Sequence, residues 1–131
     1  MTIEDNKAVT RRLHDAVNRG DTDALADLLS DDYREHNAIS ATTMDKRAAV
    51  GSIRAFKNAV PDAQRTLEQQ IAEGDYVVDR FMWRGTSTTE FNGVPPGTSL
   101  SISVLAAYRV DGGKITEVRW FSDPPPPRRD P

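Results

Sequence analysis

The sequence predicts a single α+β domain, with helices gathered in its first half and a run of antiparallel strands in its second. Three observations predict it. Apolar residues recur at helical spacing as far as Pro61, and beyond it they alternate every second residue. The stretch "SLSISVLAAYRVDGGKITEVRW", residues 99–120, then folds back on itself over Asp111-Gly112-Gly113. Helices at one end and antiparallel strands at the other make an α+β arrangement.

Each element has its own signal. Thr2 with Asp5 three residues on reads as a capping box. Val9, Leu13, Ala16 and Val17 form the stripe of the first helix, and Gly20 ends it. Asp21 or Thr22 caps a second helix with Leu25, Leu28 and Leu29 on one face. "DYREHNA" reads as a short extended piece. Residues 45–60 form a third helix carrying Ala49, Ile53, Phe56 and Val60, stopped by Pro61. Leu67, Gln69 and Ile71 then alternate on a strand, Gly74-Asp75 turns the chain, and "YVVDRFMWRGTST" is the next strand. "EFNGVPPGT" is a loop held by prolines and glycines, and the final hairpin closes the domain. The expected order is α-α-β-α-β-β-β-β. Residues 1–123 make one domain, and 124–131, "PPPPRRDP", a proline-rich C-terminal tail that favours polyproline II. That tail reads as a solvated tail or cover, or as a ligand for a proline-reading module.

Composition excludes several functions. The 131 residues carry a net charge of −3, with lysines and arginines spread along the chain, which speaks against nucleic-acid binding. No cysteine is present, so disulfides, thiolate nucleophiles and zinc ribbons are excluded. No apolar run approaches the roughly 18 residues of a membrane helix, and "MTIEDNKAVTRR" lacks a signal peptide's apolar core. A soluble, cytoplasmic protein that does not engage membranes is expected. No phosphate loop, metal-ligand spacing or serine–histidine–acid order appears, so neither cofactor nor metal is expected.

In the last hairpin, Ile102, Val104, Ala106 and Tyr108 share one face, and Thr116, Val118 and Trp120 share a face on the returning strand. That face has no carboxylate and no histidine. Either it fills a core or it lines a pocket whose usual chemical groups have been replaced.

Taken together, "GDYVVDRFMWRGTSTTEFNGVPPGT", "YRVDGGKITEV" and "WFSD" resemble the SnoaL-like polyketide cyclase, or ester cyclase, family. The likeness runs from the helical pair at residues 3–29 through "DDYREHN" to Asp123. It implies a cone-shaped α+β barrel of the nuclear-transport-factor-like type. There a strongly curved, mostly antiparallel sheet and three helices enclose a deep apolar pocket for a small hydrophobic ligand. Homodimers packed through the outer face of the sheet are common in it. Because one fold hosts several activities, the resemblance speaks to architecture more than to reaction. Polyketide cyclases of this group close a ring by an intramolecular aldol step with an acid–base aspartate on the final strand. That position falls on Trp120 here. A second polar pocket position falls near Ala106, and the histidine often seen in "GTH-T-GEF" is Ser87. Of the Asp-Arg-Asp set of the similar limonene-epoxide hydrolases, only Arg80 is matched, and Met82 stands at its neighbouring aspartate position.

The candidate residues follow from this. The resemblance places Arg80 and Met82 in the pocket, although apolarity alone would turn Val77, Phe81 and Trp83 inward and Arg80 to water. A pocket arginine would polarise a carbonyl or hold an enolate. His36 reads either as a general base or as a hydrogen-bonded support closing an edge strand. Tyr33 and Asn37 stand beside it as pocket residues. Tyr108 offers a hydroxyl to a ligand, and Ile102, Val104, Val118 and Trp120 are apolar walls. His14, among Arg11, Arg12 and Asp15, reads as solvated. Glu117, Asp123 and Glu90 read as structural. With Arg80 turned inward, Phe81, Trp83, Leu105 and Phe121 face outward as a dimer surface, and Trp83 and Trp120 lie on opposite faces. The function this implies is a small-molecule enzyme that binds an apolar, carbonyl-bearing metabolite and promotes ring closure or isomerisation. Its alternatives are a non-catalytic binding protein using the same pocket and an epoxide hydrolase-like enzyme.

Overall fold

Reciprocal bonds open the first helix, α1 (Ile3–Arg19): the Asp5 amide donates to Thr2 Oγ1 at 3.0 Å, and the Thr2 amide donates to the Asp5 carboxylate at 3.0 Å. Gly20 ends it in the left-handed region at φ 67°, where a side chain would be strained. The computed structural model describes residues 1–123, and the proline-rich tail proposed for 124–131 lies outside them. Asp21 caps α2 (Thr22–Leu28), its carboxylate accepting from the Ala24 amide at 3.0 Å. Strand β1 (Leu29–Asn37) follows without a break and pairs antiparallel with β2 (Thr42–Asp45). Asp45 then caps α3 (Lys46–Ala59). Four long strands complete the chain: β3 (Gln64–Glu73), β4 (Tyr76–Thr86), β5 (Ser99–Asp111) and β6 (Lys114–Ser122).

The strands form one curved, open sheet in the order β2-β1-β6-β5-β4-β3, with helices packed on its concave side. Every pair is antiparallel except β1 with β6, which is parallel, so the sheet is mixed. The element order is α-α-β-β-α-β-β-β-β, because β2 adds a strand where the sequence shows no alternation. The extended piece expected at "DYREHNA" is a full strand beginning at Leu29.

Period and pairing decide which side chains reach the concave face. On β5 the buried residues are Val104, Ala106 and Tyr108, with Ile102 half-buried, as the alternation predicts. Cross-strand partners share a face. Val77 pairs with Tyr108, Asp79 with Ala106, Phe81 with Val104 and Trp83 with Ile102. Those four β4 residues are therefore buried against the helices. Arg80 pairs with Leu105 and Met82 with Ser103, on the convex side. This corrects the inward placement of Arg80 and Met82: apolar burial of Phe81 and Trp83 outweighs the family pattern. Both tryptophans consequently lie on the concave side, and of the expected outward set only Leu105 and Phe121 are exposed.

A second correction falls on β3. Its register with β4 slips between Leu67 and Gln69, a bulge that reverses the inward phase. Arg65 and Leu67 point inward before it, and Gln70 and Ala72 after it, while Ile71 is exposed. Where β4 ends, Gly85 lets the chain after α3 pack against it. A Cβ there would stand 2.6 Å from Val60 Cγ1 and 2.9 Å from Ala63 Cα.

Candidate active site

Between the helices and the concave face lies a cavity of about 380 Å³. Tyr33, Asn37, Ile102, Val104, Tyr108, Val118 and Trp120, all expected at a pocket, line it. Three expected residues are elsewhere. Arg80 is exposed on the convex side and donates to Glu68 at 3.3 Å, while Met82 is outside the lining. His36 is turned from the cavity: its Nδ1 lies 3.2 Å from Thr43 Oγ1 and its Nε2 4.0 Å from Glu117. The reason is alternation on β1, which sends Tyr33, Glu35 and Asn37 one way and His36 the other.

Glu35 is the carboxylate that the smooth hairpin face lacks. It enters from the neighbouring strand, where its partner across the parallel ladder is Val118, and Asn37 stands opposite Trp120. Tyr33 donates its hydroxyl to Glu35 Oε1 at 2.8 Å, and Trp120 Nε1 donates to Oε2 at 3.2 Å. Trp120, standing where an aspartate is expected on the final strand, thus orients a carboxylate on the strand beside it. Burial, followed by the Glu35 charge, pushes the Tyr33 hydroxyl well above the usual phenol value and keeps it a donor.

Arg65 is the one cation on the cavity wall among the described residues. Its guanidinium carbon sits 4.6 Å from the Phe81 ring centroid and 4.5 Å from that of Trp83. Nη1 lies 3.1 Å from His14 Nδ1, and His14 Nε2 lies 2.7 Å from Asp79 Oδ2. A guanidinium can only donate, so Nδ1 must accept and Nε2 must carry the proton given to Asp79. His14 is therefore neutral. Asp79 is fully buried, and its other oxygen accepts from Gln70 Nε2 at 3.0 Å. The Tyr108 hydroxyl is raised by burial, which the Arg65 charge partly offsets.

His14 thus belongs to the interior, not to a solvated face. Its helical neighbours foretell it: Thr10, four residues before, and Val17, three after, are both buried. Arg65 shares the inward phase of Leu67, two residues on, but its charge gave no reason to place it on the cavity wall. Around the cavity mouth, Phe91 and Asn92 of the β4–β5 loop join the lining. Ser87 fixes that loop by donating to the Pro95 carbonyl at 2.7 Å, and Glu90 accepts from the Gly93 amide at 2.7 Å. Among the described residues no cluster of three His, Asp or Glu side chains could hold a metal, and no helix is long and apolar enough to cross a membrane.

A pH dependence follows. Desolvation pulls His14 below the ordinary imidazole value of 6.5, the Asp79 bond opposes this, and the Arg65 charge adds to it. Asp15 from the same helix raises it slightly, and Tyr108 faces its ring edge-on at 6.0 Å. The unfolded chain binds the proton first, so stability falls as pH drops below the ordinary value and stops falling below the folded one. In that window one proton contributes a slope of at most about 1.4 kcal/mol per pH unit. Urea unfolding between about pH 7 and pH 5 should show this slope in the natural chain and lose it in His14→Asn. Identical slopes would remove His14 as its source.

Comparison with known proteins agrees with this architecture. No curated protein sequence matches the chain. Among solved structures, IdmH of Streptomyces antibioticus, a candidate polyketide cyclase, is 29% identical with a TM-score of 0.81, covering 90% of this chain and 91% of its own. AclR of Streptomyces galilaeus, a candidate hydroxylase, is 24% identical with a TM-score of 0.84 over 93% of this chain and 81% of its own. A SnoaL-like protein of Jannaschia sp. CCS1 is 22% identical with a TM-score of 0.83 over 94% and 89%. At the identities of these last two, the likeness speaks for the fold alone. The sequence model of SnoaL-like polyketide cyclases matches residues 7–130. A match of that extent, over a chain whose curved sheet and helices wall a cavity, makes this protein a member of the SnoaL-like polyketide cyclase family.

Proposed function

We propose that the chain is a small-molecule enzyme that binds a largely apolar, carbonyl-bearing metabolite and promotes its ring closure or isomerisation. The observation supporting this most is Glu35, the one carboxylate among the described residues on a cavity wall that is otherwise mainly apolar, held by Tyr33 and Trp120. In this reading Glu35 takes a proton from the carbon beside the substrate carbonyl, and the C–H electron pair becomes an enolate. The Tyr108 hydroxyl, kept protonated by burial, donates to the oxygen on which charge grows. In ring closure the enolate carbon attacks a second carbonyl carbon of the same molecule, and Glu35 returns the proton to the new alkoxide. In isomerisation the proton returns to a different carbon. Orientation by the cavity wall supplies the remainder of the acceleration. Glu35 thus takes the acid–base role first considered for His36, and the charge-stabilising role considered for Arg80 passes to groups on the concave face. A homodimer through the convex face belongs to the same proposal, supported by the exposed Leu105 and Phe121.

A bicyclic ketone tests it. The natural chain should accelerate deuterium uptake beside the carbonyl of 1-indanone in heavy water, followed by mass spectrometry. Glu35→Gln should lower that rate by about a hundredfold, the lower end expected of a general base. A second reading, a binding protein without catalysis, is favoured by the internal donors already on both Glu35 oxygens. Calorimetric binding of the ketone with no enzyme-dependent exchange would select it.

A further inference from the structure

Arg65 presents a feature that proton transfer at Glu35 does not use. Among the described residues its guanidinium bonds His14 through Nη1, stands close to the Tyr108 hydroxyl and makes no ion pair. Nε is buried without a partner. A guanidinium pairs with a carboxylate through two parallel N–H bonds, and Arg65 is the one cation on the cavity wall among the described residues. The group is also immobilised. Phe81 and Trp83 hold its plane, and the His14 contact, itself anchored on Asp79, fixes its rotation. Desolvating a cation without a counter-charge is costly, and the ring contacts offset only part of that cost. Asp79 is the carboxylate nearest in this chain of bonds, and His14 stands between them.

We infer that the Arg65 guanidinium is a carboxylate-binding subsite of the cavity, so that its ligand is an apolar molecule bearing a carboxylate. This deepens the proposed function and rests on the cavity being a small-molecule site. The carboxylate anchors the ligand at Arg65 while the carbonyl-bearing part meets Glu35 and Tyr108. His14 acts through Arg65 as a positioning residue.

Calorimetry with 2-naphthoate and its neutral isostere 2-naphthamide tests the assignment. The natural chain should bind the acid at least about tenfold more tightly at pH 7, as expected for charge-assisted hydrogen bonds. Arg65→Met should abolish the preference. Arg65→Lys should keep only part of it, because an ammonium cannot match two oxygens at once. Equal affinity of acid and amide in the natural chain overturns the inference without any variant having to fold. A preference that persists in Arg65→Met, or no binding of either probe at millimolar concentration, also overturns it. Ketone exchange at Glu35 with no preference for the acid would sink the subsite and leave the proposed reaction standing. A preference lost in Arg65→Met without any exchange would do the opposite.

Discussion

Replacing Asp79 with alanine should cost about 3–5 kcal/mol of stability, the usual penalty for breaking a buried charged network by removing one partner. The side chain is completely buried and accepts from His14 Nε2 and Gln70 Nε2. Its removal leaves the His14 Nε2 donor unsatisfied and the Arg65 charge without an acid in its network, while Gln70 Nε2 keeps Thr10 and the Lys7 carbonyl as acceptors. Asp79→Asn should cost less. Its amide oxygen can still accept from His14, but its NH2 then meets the Gln70 amide, which cannot turn over freely. Gln70 already donates to Thr10 at 2.8 Å and accepts from Arg11 at 2.8 Å. Urea unfolding of the three proteins measures the series. A loss below about 1 kcal/mol in Asp79→Ala would mean that water satisfies the network.

Phe81→Ala should also cost about 3–5 kcal/mol, the range for emptying a buried aromatic site. Phe81 is 2% exposed and fills the space between His14, whose ring centroid is 4.8 Å away, and the Arg65 guanidinium. The loss should therefore appear in stability and in the pocket together. One residue along, Arg80→Ala should change stability by no more than about 0.5 kcal/mol, because its only partner among the described residues is the exposed Glu68. The contrast between neighbours reads the register of β4 directly. Equal effects, or a larger one at Arg80, would put the strand's faces the other way round.

That register marks the boundary of what was legible from residues. Caps, turns and helical stripes are local, and Thr2, Gly20, Asp21, Asp45 and the Asp111-Gly112-Gly113 turn stand where their chemistry requires. The last hairpin was legible from its alternation, so most of the apolar cavity wall could be named, although a register shift beside Arg109 buries Ile115 where Thr116 was expected. On β4 both phases carry apolar residues, and only pairing with β5 decides between them. Glu35 was within reach: Tyr33 and Asn37 were expected at the pocket, and a period of two places Glu35 beside them. His14 was also within reach, on the buried stripe of α1, but its charged neighbours suggested water. Arg65 shares the phase of Leu67 but its charge suggested water, and the bulge between Leu67 and Gln69, which turns Gln70 and Ala72 inward, leaves no local trace in composition. Out of reach was β2, a four-residue edge strand that exists only by pairing with β1.

The parallel seam between β1 and β6 has a consequence for when the protein can fold. It joins segments 85 residues apart at the Glu35–Trp120 bond, and among the described residues it is the only ladder from the β1–β2 hairpin to the rest of the sheet. A chain emerging in order from the ribosome can close the β3–β4–β5 meander as it appears. Its first hairpin, already made, must wait with an open edge until residues 114–122 have been synthesised. Contacts of such separation form slowly because the intervening chain must first be ordered. The cavity, whose wall includes both sides of that seam, is therefore among the last features to exist, completed only when the earliest strand meets the latest.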